Sequence, residues 1–263
     1  MFIKSMDNAF SLKGKTAIVT GGQKGIGLGI STAFAHQGAN VIIMARDEAA
    51  AKEVIEDFKS KYGGKFAFFK TDIADFQSCR DSVAAAVKEF GSIDVLVNNA
   101  GIGTVGDLLD MDEDLTSWFE CINVDLNGAV RMSYLLCKHM RDAGKGGRII
   151  NITSNAGKMC NQNPRMIAYA SAKAGLNHFT EVLASEVCQY GIRVNAIAPG
   201  FTFSNFSKSM TEEGYKAMCK DIPIGRFAEA IEMGALAAYL ASEASDAMTG
   251  HVLTIDGGYS LTH

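Results

Sequence analysis

The chain has 263 residues, and its 25 lysines and arginines against 29 aspartates and glutamates give a formal charge of −4. A hydrophobic fraction of 48% with 3 prolines and 27 glycines is globular, which excludes disordered, collagen-like and disulfide-scaffold compositions. The near-neutral balance offers no basic footprint for nucleic acid or an anionic membrane. No apolar run reaches the ~18–20 residues of a membrane span, and residues 1–15 carry no signal-like apolar region. The expected location is therefore cytoplasmic.

Short apolar runs at Thr16–Thr20, Val41–Met44, Phe66–Phe69, Ile93–Val97, Ile149–Ile152, Val194–Ala198 and Val252–Ile255 read as buried parallel strands. Between the first two, Ile26, Ile30, Ala33 and Phe34 keep a helical period; Phe76, Cys79, Val83, Val87 and Phe90 keep it after the third. Strand alternating with helix predicts an α/β fold, a doubly wound, Rossmann-like parallel sheet with helices on both faces. No linker or low-complexity tract divides the chain, so one domain over residues 1–263 is expected. The long strandless stretch from Gly200 to Met248 reads as a loop, a helical pair and a lid. Cys79, Cys121, Cys137, Cys160, Cys188 and Cys219 lack paired spacing and are expected to be reduced. His36, His139, His178, His251 and His263 show no ligand spacing, so no metal is expected.

Directly after the first strand comes Thr20-Gly21-Gly22-Gln23-Lys24-Gly25-Ile26-Gly27, and a helix starts near Ile26. Alone, such a run is as often a plain turn. A strand before it and a helix behind it point to dinucleotide binding, with backbone N–H groups facing a diphosphate. At the end of the second strand, where an acidic residue would bind the ribose hydroxyl of NAD, stands Ala45. Arg46 follows, and Lys24 lies in the glycine loop; two cations suit a 2′-phosphate, so NADP(H) is the expected cofactor. The competing reading is a pair of solvated charges, with Asp47 and Glu48 close enough to neutralise Arg46.

Tyr169 and Lys173 are four residues apart, so on one helix the ammonium can approach the phenol and ease loss of its proton. Taken alone, that pair is more often a solvated helix face.

The GxxxGxG spacing resembles that of the short-chain dehydrogenase/reductase family. The resemblance continues through Asp72, Asn98-Asn99-Ala100-Gly101, Asn123, Ser154, Tyr169-xxx-Lys173 and Pro199-Gly200, in the family's order and over nearly the whole chain. It implies Tyr169 as general acid or base, Ser154 as hydrogen-bond partner of the substrate oxygen, Lys173 as holder of the nicotinamide ribose, and Asn123 positioning a relay water. It likewise implies cofactor contacts from Gly21, Gln23, Lys24, Gly25, Ile26, Gly27, Arg46, Asp72, Ile73, Asn98, Ala100, Gly101, Tyr169, Lys173, Pro199, Gly200, Thr202 and Ser204. A homotetramer is implied too, in keeping with apolar Leu126, Val130, Leu135, Leu176, Phe179 and Leu183 on more than one helix face. The segment from Ser154 to Tyr169 is slightly longer than is commonest in the family.

The expected activity is interconversion of a secondary alcohol and a ketone, with three substrate groups in competition. The polar loop Asn155, Lys158, Asn161, Gln162, Asn163 and Arg165 suits a polyol, ketose or sugar acid, the favoured group. Phe201, Phe203, Phe206, Met210, Tyr215 and Met218 suit a hydroxysteroid, unless the lid simply packs its own apolar face. Lys145 and Arg148 suit the acidic carrier of a 3-oxoacyl thioester, although Gln189-Tyr190 lacks the arginine that the acyl-reductase branch tends to place there. From another class, a non-catalytic NADP-sensing binding protein would keep the fold without the chemistry.

Overall fold

In the computed structural model, residues 8–159, 166–203 and 210–262 are described. Seven strands form one parallel sheet: β1 (Thr16–Thr20), β2 (Asn40–Ala45), β3 (Phe66–Lys70), β4 (Val95–Asn98), β5 (Gly147–Ile152), β6 (Ile192–Pro199) and β7 (Val252–Ile255). Their order across the sheet is β3-β2-β1-β4-β5-β6-β7. The chain winds outward from β1 in one direction and then returns to run outward from β4 in the other, so a crevice opens at the reversal.

Period-two alternation sorts the strand residues into two cores. Ala17, Val19, Val41, Ile43, Val95 and Val97 face α1 (Gly25–His36), α2 (Glu48–Lys61) and α8 (Ala230–Ala241). Ile18, Ile42, Met44, Leu96 and Ile149 face the opposite layer, α3 (Phe76–Phe90), α5 (Gly128–Ala143) and α6 (Ile167–Val187). Two shorter helices complete the described chain, α4 (Thr116–Ile122) ahead of α5 and α7 (Glu212–Cys219) ahead of α8. The expected helical pair between β6 and β7 is thus α7 and α8.

Helix starts are chemically marked. Asp47 accepts from the Ala50 N–H at 3.1 Å to begin α2, and Asp75 accepts from the Gln77 N–H at 2.9 Å to begin α3. Glu229 and Glu232 form a reciprocal capping box at α8. Between α4 and α5 the helix widens into a π turn, Asn123–Asn127, a feature enriched at functional sites. Among the described residues, no helix is long and apolar enough to cross a membrane.

Candidate active site

The crevice at the reversal is a cleft of about 480 Å³ over the ends of β1, β2 and β4. Gly21, Gln23, Lys24, Gly25, Ile26, Arg46, Asp72, Ile73, Ala100 and Gly101 line it, all expected from the sequence. Gly21 and Gly25 have φ of +65° and +53°, a backbone that side-chain-bearing residues adopt at a cost. Position 27 is different: a Cβ there would overlap the Gly21 carbonyl oxygen, so Gly27 serves the packing of helix under loop and does not line the cleft.

The loop is held rigid by β4. Thr20 Oγ1 accepts from the N–H groups of Asn99 at 2.9 Å and Ala100 at 3.0 Å. Asn99 Nδ2 donates back to the carbonyls of Thr20 at 2.9 Å and Gly21 at 3.3 Å. Asn99 is therefore a cleft residue and a brace at once, which the site reading by sequence passed over although it sits inside the Asn98–Gly101 motif. Asn98, expected at the cofactor, is buried elsewhere; its Nδ2 donates to Ser133 Oγ at 2.9 Å and Asn151 Oδ1 at 2.8 Å, tying β4 to α5 and β5. Asp72 both lines the cleft and accepts from the Ala74 N–H at 3.0 Å.

These surroundings fit a dinucleotide. The first turn of α1 has no capping side chain, which leaves its orphan N–H groups and positive dipole end to an anion. Gln23 Oε1 is buried in the same cleft without a hydrogen-bond partner. At the β2 corner the possible neutralisers of Arg46 are engaged: Asp47 caps α2, and Glu48 pairs with Lys52 at 2.6 Å. Among the described residues neither Lys24 nor Arg46 has an ion-pair partner.

A second group of residues lies where β5 meets α6. Lys173 is buried, and its Nζ donates to the Ile152 carbonyl at 3.1 Å, at the end of the strand that leads into Ser154. The same ammonium stands 5.4 Å from the centre of the Tyr169 ring. Ser154 is buried, its Oγ accepting from the Ala156 N–H at 3.1 Å in a short turn. That turn is seated on α6: a Cβ on Gly157 would lie 2.7 Å from the Lys173 carbonyl carbon, and Asn177 Nδ2 donates to the Gly157 carbonyl at 3.2 Å. Lys173 is thus brought both to Tyr169 and to the strand end that leads into Ser154.

Asn123 is not with them. Its Oδ1 accepts from Arg131 Nη2 at 2.6 Å and its Nδ2 donates to the Ala74 carbonyl at 3.5 Å. The place beside Lys173 belongs to Asp125, fully buried, with Oδ2 3.2 Å from Nζ. Two residues along a helix turn a side chain to nearly the opposite side, so Asp125 toward α6 means Asn123 away from it. Asn123-Val124-Asp125-Leu126-Asn127 offers three candidate polar residues to a sequence reading, and the π turn that selects one of them leaves no mark in the pattern.

Beyond β6, Pro199, Gly200 and Thr202 do not line the described cleft; Thr202 Oγ1 donates to the Gly200 carbonyl at 3.1 Å. Ser204 lies outside the described residues, as do Asn161, Gln162, Asn163, Arg165, Phe206, Cys160 and His263. Lys158, expected in a substrate loop, instead donates to the Val252 carbonyl at 2.9 Å and Thr254 Oγ1 at 3.2 Å. Phe201, Phe203, Met210, Tyr215 and Met218 close around Cys219, Ile222 and Phe227, joined by Tyr259 from beyond β7, whose ring centre lies 5.2 Å from that of Phe201.

Residues 15–214 match the short chain dehydrogenase family model. The chain is 38% identical over 247 residues to the 3-oxoacyl-(acyl-carrier-protein) reductase FabG of Chlamydia muridarum, covering 94% of this chain and 98% of that one. Among solved structures, a short-chain type dehydrogenase/reductase from Mycobacterium marinum superposes with a TM-score of 0.91 at 33% identity, covering 97% of this chain and 99% of that one. A gluconate 5-dehydrogenase from Burkholderia cenocepacia in complex with NADP and tartrate superposes with a TM-score of 0.90 at 30% identity, with coverage of 97% and 99%. The chain belongs to the short-chain dehydrogenase/reductase family of oxidoreductases, which use nicotinamide cofactors.

Proposed function

We propose that the protein is an NADP(H)-dependent oxidoreductase that interconverts a secondary alcohol and a ketone, with a polyol, ketose or sugar acid as substrate. The observation that carries the reaction type is the Lys173 ammonium, set between the Tyr169 ring and the strand end that leads to Ser154. When bound, the nicotinamide supplies a hydride to the carbonyl carbon or takes one from the carbinol carbon. Tyr169 Oη then delivers the proton to the carbonyl oxygen, or removes it from the hydroxyl, so that one C–H and one O–H bond are made or broken together. Ser154 Oγ holds that oxygen within reach, and Lys173 holds the ribose and the charge beside the phenol. Lys24 and Arg46, without an ion-pair partner among the described residues, would meet the 2′-phosphate.

The sugar-like substrate class is supported by the self-packed lid, whose rings are spent on one another, and by the likeness to a gluconate 5-dehydrogenase. A 3-oxoacyl thioester is the second reading, supported by the likeness to FabG. Against it, Arg148 is ion-paired with Asp246 and unavailable for an acidic carrier. A homotetramer is supported by a groove between α5 and α6 in which Val130, Tyr134, Phe179, Leu183 and Tyr190 are rimmed by Lys138, Arg141 and Glu186.

The test is NADPH consumption with ketoses, keto sugar acids, a steroid ketone and an acetoacetyl thioester at matched concentrations. The best sugar-like ketone is expected to lead in kcat/KM; a steroid or thioester ahead by tenfold overturns the substrate class. Tyr169→Phe keeps the ring and removes the exchangeable proton, so turnover is expected to fall by at least ~10²-fold while NADPH binding, read by fluorescence, persists.

A further inference from the structure

We propose that Asn155 is a positioning residue for the reaction: its side-chain amide, oriented by the Asp256 carboxylate, holds the Ser154 hydroxyl in the rotamer that meets the reacting oxygen. The inference rests on the reading of Ser154 as the partner of that oxygen.

The contacts start at the edge of the sheet, away from the glycine loop. Asp256 follows β7 directly and is buried; its Oδ1 accepts from the Gly258 N–H at 3.0 Å and its Oδ2 from the Ser260 N–H at 2.8 Å. The Asn155 side chain gives the same carboxylate a further hydrogen bond. Burial raises the Asp256 carboxyl, but these hydrogen bonds outweigh it and hold the group below its ordinary value, as an anion. The two side chains meet over Gly200, just past β6, where a Cβ would lie 2.5 Å from Asp256 Cβ and 3.4 Å from Asn155 Nδ2.

The direction of the amide follows from chemistry. A carboxylate only accepts, so Nδ2 is the end of Asn155 turned to Asp256, and Oδ1 faces the other way. On that side stands Ser154 Oγ, whose hydroxyl points to Asn155 Oδ1 over 3.5 Å. The Ala156 N–H donates to the same Oγ at 3.1 Å. Of the staggered positions open to a serine side chain, the one observed satisfies both neighbours. The contact with Asn155 is long, and the hydroxyl gives it up readily when a substrate oxygen offers a shorter one.

The turn that carries Asn155 is itself bolted in place. Lys158 Nζ ties it to β7 through the Val252 carbonyl and Thr254 Oγ1, and Asn177 Nδ2 ties it to α6 through the Gly157 carbonyl. Asn155, which the sequence offers as a substrate contact, therefore has both ends of its amide engaged within the protein and acts on the residue before it.

The experiment measures kcat, KM and NADPH affinity for wild type, Asn155→Val, Asp256→Asn, Ser154→Ala and each of the first two combined with Ser154→Ala, using the ketone that leads the substrate panel. Asn155→Val removes the amide. Asp256→Asn places a group that donates as well as accepts, so Asn155 is free to turn its nitrogen toward Ser154. Each variant is expected to lower kcat about 3- to 10-fold, with NADPH affinity within about twofold of wild type. In the Ser154→Ala background neither is expected to lower kcat further. A residue that merely keeps the turn in shape would cost the same factor in both backgrounds; that result, or an unchanged kcat, overturns the proposal. Crystal structures of the two variants give a readout that needs no turnover: Ser154 Oγ is expected to spread over a second rotamer, and a single unchanged rotamer overturns the proposal. If Asn155→Val does not fold, Asp256→Asn decides by the same comparisons. Wild-type activity in Ser154→Ala would sink the reading of Ser154 itself, and it is told apart from failure of the proposal alone because there Ser154→Ala is impaired.

Discussion

The two ends of the strand-tip edge of the sheet are built on opposite terms. Over β1, β2 and β4 the edge is open, its lining includes Lys24 and Arg46, which have no ion-pair partner among the described residues, and its rigidity comes from hydrogen bonds among Thr20, Asn99 and Ala100. Beyond β6 and β7 the edge is covered by rings: Phe227 lies 5.4 Å from Phe201, 5.7 Å from Phe203 and 5.0 Å from Tyr215, centre to centre. One end withholds interactions for a charged ligand, and the other satisfies its own surface. The difference teaches that affinity at the first end and stability at the second should be separable by single substitutions.

The largest effect is expected at the covered end. Phe227 is 2% exposed at the centre of the ring cluster, so Phe227→Ala removes a buried aromatic and leaves a cavity between α7 and the segment after β6. A loss of about 3–5 kcal/mol in denaturant unfolding is expected, with NADPH affinity of the folded fraction unchanged. A fall in NADPH affinity of tenfold or more at unchanged stability would show that the two ends are not separate.

Arg46→Ala is the reverse case. Its side chain is exposed and has no ion-pair partner among the described residues, so stability should stay within about 0.5 kcal/mol. Loss of a charge-assisted bond of about 1.5–3 kcal/mol to a phosphate weakens NADPH binding roughly 10- to 150-fold and leaves NADH binding nearly as it was. Equal losses for both cofactors, measured by fluorescence titration, would remove the 2′-phosphate from the account.

How legible each end was in the sequence follows from the same contrast. The cleft is lined by short contiguous segments, so Gly21–Ile26, Asp72–Ile73 and Ala100–Gly101 announce themselves by glycine spacing and by position after a strand. Strand bounds were nearly as plain, because β-branched residues alternate between two buried faces; β4 begins at Val95 and not at Ile93 because Asp94 turns to accept the Thr16 N–H through Oδ2. What the pattern hides is any role decided by packing at a distance. That Lys158 bonds to β7 and that the lid aromatics pack on one another are two such contacts. Asn123 looks like the relay residue because a π turn, invisible in the apolar period, determines which of its polar residues faces Lys173.

The finest test of the open end is Asp47, one residue from Arg46 and itself a lining residue of the cleft. It has two opposed effects: its carboxylate caps α2 by accepting from the Ala50 N–H, and its negative charge lies at the corner where a 2′-phosphate would sit. Asp47→Asn separates them, because asparagine caps a helix about as well as aspartate and carries no charge. Stability is therefore expected to change by less than about 0.5 kcal/mol. Removing one exposed like charge is worth up to ~1 kcal/mol, so NADPH affinity is expected to rise by up to about fivefold at low salt, with NADH affinity nearly constant and the gain shrinking as salt rises. Asp47→Ala is the control: it brings the same gain in NADPH affinity together with a loss of about 0.5–2 kcal/mol as α2 loses its cap. If Asp47→Asn leaves the NADPH to NADH ratio untouched across salt concentrations, the phosphate does not sit at the β2 corner, and Lys24 in the glycine loop becomes the cation to test in its place.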